Sequence, residues 1–197
     1  KRYMDEQGTD EVALCYFGTA DPNYYGIKYQ YVPGYSLYPN TGHVIALNAS
    51  PQLLAVSATN LQSVYFADKK MYRWLLEFTP EAKIGYSIFV YDMTADAGIH
   101  NGLGLVYLKW GLLAEAESEF RHAIHIDPTM DKAFTNLASV YMARGEHDKA
   151  GTALKEVLTA NPSYGEAHFQ LGALNYAASR VGAVSYTHLR AHETVLD

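Results

Sequence analysis

A beat of 34 residues runs through the second half of this chain. Leu103-Gly104, Leu137-Ala138 and Leu171-Gly172 keep it, as do Tyr107 and Tyr141, Gly111 and Gly145, Ala116 and Ala150, Phe120 and Leu154, Pro128 and Pro162. A unit of this length, with small residues at its middle and a proline at its end, is a pair of antiparallel helices. Such a pair cannot bury its apolar faces alone and must stack on neighbours. In the middle unit the spacing predicts a first helix over Lys132–Arg144 and a second over Asp148–Ala160. Ala138 and Ala150 are small enough for close approach, and Leu137, Tyr141 and Leu154 fill the space around them. Gly145 ends the first helix in a conformation that costs other residues more, and Pro162 stops the second. The first unit repeats the scheme with Leu103, Gly104, Tyr107, Gly111, Phe120 and Pro128. The third begins near Tyr164, reaches Arg180, and has Asn175 where the others have tyrosine.

These positions resemble the tetratricopeptide repeat, whose helix pairs bind partners and rarely react with them. The resemblance implies a groove lined by first-helix residues turned away from the pair. By the 34-residue register these are Asn101, Leu105 and Lys109, then Lys132, Asn136 and Ser139, then Phe169, Gln170 and Tyr176. Asn101 and Asn136 are suited to holding the backbone of an extended peptide. A spacer or a dimer contact is the plainer alternative.

Both ends of the chain read as open. It starts at Lys1, already inside a helix running to Gln7 with Gly8 as its cap, so an internal fragment of a longer protein is expected. At the other end, Val184-Ser185-Tyr186-Thr187-His188-Leu189-Arg190-Ala191-His192-Glu193-Thr194 resembles a translated sequencing adaptor. Residues 184–197 are therefore set aside, and with them the tempting helical pair His188 and His192.

The first half follows a different rule. Val12-Ala13-Leu14-Cys15-Tyr16-Phe17 suits a strand buried on both faces. Gly42–Asn48 and Ile84–Tyr91 are further candidate strands. Leu61–Phe66 and Lys69–Phe78 have helical spacing, with Trp74 and Leu75 on the buried side and Pro80 closing the second. The expected fold class is thus α+β: a small mixed α/β domain over residues 1–94, then an all-α repeat solenoid over 95–183.

Composition narrows the function. A formal charge of -6 and a pI near 5.7 argue against a nucleic-acid partner. No run of 18 apolar residues is present. The single cysteine, Cys15, lies in an apolar run and reads as a buried structural thiol rather than a nucleophile. No cofactor or metal set is expected. His122 and His125 share a helix face without further ligands, and Gly102-Leu103-Gly104 sits inside a helix, not in a nucleotide loop. Asn48-Ala49-Ser50 matches a glycosylation acceptor but is followed by Pro51.

One loop in the first half stands out. Phe17–Ile27 leaves the first strand through an Asp21-Pro22-Asn23 turn into Tyr24 and Tyr25. Most of the chain's 17 tyrosines lie in this half, including Tyr29, Tyr31, Tyr35 and Tyr38. Asp21, Tyr24 and Tyr25 could form a sugar-binding platform, with ring faces under a glycan and hydroxyls bonding outward. Alternatively, the loop packs its rings onto the sheet or a neighbouring domain.

Three blocks carry a second resemblance: Tyr16–Ile27, Ala55–Gln62 and Ile84–Tyr91. Together they resemble bacterial membrane glycosyltransferases of the C-type superfamily, related to the protein O-mannosyltransferases. The resemblance covers about residues 1–94. It implies an extracytoplasmic domain, lying after a polytopic membrane region, in an enzyme that uses a lipid-phosphate sugar donor. The catalytic carboxylate of such enzymes lies in that membrane region, so no catalytic residue is assigned here. Asp21 and Asp92 lack the partners a general base would need. The expected role is a non-catalytic part of such an enzyme, on the outer face of an inner membrane. Its partners would be a protein or peptide in the groove, with a glycan as a further candidate, and any membrane contact would lie upstream of Lys1. The alternative is a repeat scaffold with no glycosyltransferase connection.

Overall fold

The computed structural model describes residues 1–34 and 51–176. The candidate strand at 42–48, the Asn48 acceptor pattern, Tyr35, Tyr38 and the adaptor-like tail lie outside the described residues. The chain divides into two compact units, Lys1–Pro128 and the part from Thr129 onward.

The first unit is built on a five-stranded sheet in the order β2-β1-β3-β5-β4. Strand β1 (Glu11–Cys15) pairs in parallel with β2 (Lys28–Tyr31) on one side and β3 (Leu53–Ser57) on the other. Its apolar run is buried on both faces, as a central parallel strand requires. Strand β3 joins two regimes: it is parallel to β1 but antiparallel to β5 (Ile88–Asp92), which pairs with β4 (Ala82–Ile84).

The pleat sorts side chains between two faces. Val12, Leu14, Leu53, Ala55 and Val90 form one core with Met4 of helix α1 (Arg2–Glu6). Gly8, at φ +69°, follows that helix, and its N–H donates back to the Asp5 carbonyl. On the opposite face lie Ala13, Cys15, Leu54, Val56, Phe89 and Tyr91.

Two expectations for this unit are corrected. Ile84–Tyr91 is not one strand but the turn and return of a hairpin. Gly85 and Tyr86 both take positive φ, +54° and +61°, and the Ser87 N–H donates to the Ile84 carbonyl at 3.2 Å. The helices expected at Leu61–Phe66 and Lys69–Phe78 are replaced by a short α2 (Ala58–Leu61) and a 3-10 turn over Arg73–Glu77. Ser63, at φ +54°, breaks the first. Lys69 Nζ then donates to the Val64 carbonyl at 2.6 Å, and the Asp68 carboxylate accepts the Lys70 N–H at 2.8 Å. These side-chain bonds offer the backbone an alternative to a helical ladder. Leu75 is buried as expected, while Trp74 is only partly so.

Helix α3 (Ala97–Lys109) and helix α4 (Leu113–Ile126) complete the first unit. Asp96 caps α3, accepting the N–H groups of Gly98 and Ile99. Glycines let α3 lie close to its neighbours: a Cβ at Gly102 would come within 2.5 Å of the Trp74 ring, and one at Gly104 within 2.5 Å of Phe120. The Tyr107 hydroxyl donates to the Tyr31 carbonyl at 3.0 Å and accepts from Gln30 Nε2 at 3.1 Å. Helix α3 is thereby held to the sheet, within a compact unit that runs from Lys1 to Pro128.

The second unit contains α5 (Asp131–Ala143), α6 (His147–Ala160) and a further helix, α7, over residues 165–176. Ala138 and Ala150 are fully buried, with Leu137, Tyr141 and Leu154 around them. Gly111 in the first unit and Gly145 in the second end their helices at φ +73° and +76°, as the repeat pattern predicts.

Candidate functional site

The residues expected to line a groove can be placed within each unit. On α3, Leu105 and Lys109 are exposed and Asn101 is half-buried. Lys109 is ion-paired with Asp68, which holds the Asp68 carboxyl below its usual range. On α5, Lys132, Asn136 and Ser139 fall at i, i+4 and i+7 and so share one stripe. Lys132 is exposed, and the Ser139 hydroxyl donates to the Thr135 carbonyl at 3.0 Å. On α7, Phe169 is 73% and Tyr176 65% exposed, while Gln170 donates to Glu166 at 2.9 Å.

The tyrosine loop is a capped 3-10 turn over Pro22–Tyr25. Asp21 Oδ1 accepts from the Asn23 N–H at 2.9 Å and from Asn23 Nδ2 at 3.1 Å, so that oxygen is occupied by the turn. Gly26 closes the turn at φ +65°. Tyr24 and Tyr25 meet edge to face at 5.2 Å and are 84% and 57% exposed. Packing onto the sheet therefore does not describe these two rings. It does describe Tyr29, which lies against the Met4 core.

The three blocks Tyr16–Ile27, Ala55–Gln62 and Ile84–Tyr91 meet at the carboxyl end of β3. The Phe17 N–H donates to Ser57 Oγ at 3.1 Å, and the Ala58 N–H donates to the Ser87 carbonyl at 2.7 Å. Ser57 also faces Ile88 in the sheet register, and the Phe17 ring stacks on Tyr65 at 5.3 Å. Beside this junction lies a cleft of about 280 Å³. Leu61 of α2, Leu76 of the 3-10 turn, Phe78 just after it, and Lys83 and Phe89 of the hairpin are among its walls. Sequence reasoning missed the cleft because its lining comes from segments expected to be regular helix and strand.

A buried polar pair was also missed. His100 Nδ1 lies 2.7 Å from Glu119 Oε2, and its Nε2 lies 3.0 Å from the Met93 carbonyl. Both side chains are almost fully buried. His122 stacks on the His100 ring at 5.3 Å, and its own Nδ1 lies 2.7 Å from the Ser118 carbonyl. No signal separates such a pair from ordinary helix-surface residues before the packing is known. No group of three metal-ligating side chains occurs among the described residues. Cys15 is fully buried, and desolvation pushes its thiol up to about 12, so it is a protonated core residue. Among the described residues no helix is long and apolar enough to cross a membrane.

Comparison with known proteins identifies the helical part. Residues 107–174 match the tetratricopeptide repeat family. Among solved structures, the second repeat domain of human RPAP3, in complex with an HSP70 peptide, is 26% identical. That match covers 41% of this chain and 68% of the domain, with a TM-score of 0.40. MamA is 26% identical over 48% of this chain and 52% of its own, with a TM-score of 0.42. A repeat protein of Thermus thermophilus is 22% identical over 42% of each chain, with a TM-score of 0.40.

Proposed function

We propose that this chain is a non-catalytic interaction module whose tetratricopeptide repeats hold an extended segment of a protein partner. The carrying observation is the family match over residues 107–174, on helices whose small register residues Ala116, Ala138 and Ala150 are fully buried. Repeats of this kind bury a continuous core and leave a surface for partners. In the second unit that surface is the stripe of Lys132, Asn136 and Ser139, with Phe169 and Gln170 on α7. In the first it is Asn101, Leu105 and Lys109.

The test is selection of peptides from a random displayed library on the full chain, followed by affinity measurements on Lys132→Ala and Asn136→Ala. The expected outcome is a consensus peptide whose binding weakens about tenfold, roughly 1.4 kcal/mol, in at least one variant with unchanged melting temperature. Absence of a consensus, or affinity indifferent to both substitutions, overturns the reading.

The finer reading is that this module belongs to a membrane glycosyltransferase with a lipid-phosphate sugar donor and lies on the extracytoplasmic face. It is supported by the resemblance of three sequence blocks that fold against one another around Ser57. The exposed Tyr24 and Tyr25 suit a glycan contact. Sequencing the gene upstream of Lys1 tests it. Several apolar stretches of about 20 residues, with an acidic residue in the first outward loop, would support the enzyme. A start codon within a few residues would leave the scaffold alone.

A further inference from the structure

The cleft beside β3 is built from the α/β part of the first unit alone and owes nothing to the repeats. Its walls are apolar: Leu61, Leu76, Phe78 and Phe89 contribute, and Leu76 stands 65% exposed. A large aliphatic side chain left in water at the wall of a concavity is surface that a ligand can cover. At about 280 Å³ the space falls just below the ~300 to 1000 Å³ of most ligand pockets. It suits a short chain or a single ring.

Charge selects among such ligands. Lys83 is the only charged residue in the lining, no acidic residue faces it there, and it has no carboxylate partner among the described residues. Its ammonium lies 5.4 Å from the centre of the Phe89 ring. That cation–π contact sets the charge beside a cleft wall while leaving it open to solvent. Gln62 adds a neutral hydrogen-bonding group. Tyr91, whose phenol is raised by burial, stays neutral at physiological pH.

We propose that this cleft binds a small amphiphilic anion: an apolar body of one short chain or ring, buried against Leu61, Leu76 and Phe78, with its carboxylate on Lys83. The hairpin carries both the cation and the ring that positions it, so the head group is read at one end of the cleft and the body along it.

Trp74 meets Phe78 edge to face at 6.1 Å, so its fluorescence reports on the wall. In the full chain carrying Trp110→Phe, which removes the other tryptophan, octanoate, octanol and octylamine are titrated separately. Octanoate is expected to saturate the signal at least about tenfold more tightly than octylamine, with octanol between them. Lys83→Met should bring octanoate down to the octanol value, and Lys83→Arg should retain the preference. Lys83 is exposed, so both variants are expected to fold, which the melting temperature checks. Equal affinities for the three compounds, no saturable signal, or a preference for octanoate that survives Lys83→Met overturns the proposal. None of these outcomes depends on whether the repeats bind peptide.

Discussion

His100 has a polar partner at each ring nitrogen: the Met93 carbonyl at one and the Glu119 carboxyl at the other. A polar pair at this depth adds little compared with apolar packing, yet removing one member strands the other without water. Glu119→Ala is therefore expected to lower stability by about 3–5 kcal/mol, read as a shift in the urea midpoint. Glu119→Gln keeps a hydrogen-bonding group opposite the ring and should cost less than half as much. An Ala variant as stable as the parent would mean the pair is not buried in solution. Nothing in the sequence announces this pair, because a lone histidine and a glutamate 19 positions apart look like solvated helix faces. Cys15 shows the opposite case: its apolar neighbours already made it a core thiol, and burial at the centre of the sheet follows from them.

Among elements, the repeat helices were legible to within a residue or two, because period, small residue and terminal glycine all agree on them. Gly104 and Gly151 separate the reasons a helix carries glycine. A methyl at Gly104 would press into the Phe120 ring, whereas at Gly151 it meets only Leu174 at an ordinary 3.6 Å. Gly104→Ala is expected to destabilise by about 1–3 kcal/mol through overpacking. Gly151→Ala should stabilise by up to about 1 kcal/mol through helix propensity. Thermal melts of the two variants should move in opposite directions, and a shift of the same sign would contradict the packing described. The hairpin was less legible. Its turn places Tyr86 at positive φ, where sequence favours glycine or asparagine, so an aromatic and β-branched run concealed the reversal. The cleft went unread for the same reason, since Lys83 and Phe89 face each other only once the chain turns back.

At the scale of the molecule, Cys15 offers a probe of how the first unit opens. A thiol held near 12 is un-ionised at pH 8 and unreactive while buried. Labelling by a thiol reagent should therefore wait for unfolding and follow the urea transition of the sheet. Rapid labelling of the native chain would show that the β1 region opens locally. The sign of the linkage is also fixed. Between about 9 and about 12 the unfolded thiol ionises while the folded one stays protonated, so stability falls as pH climbs through that window. The ties that hold α3 to the sheet carry a consequence for how such chains can lengthen or shorten over evolutionary time. Within the first unit, loss of α3 would break the Tyr107–Tyr31 bond and bare the Trp74 ring that lies against Gly102. A chain that shed this helix would need another element to satisfy the Tyr31 carbonyl and cover Trp74.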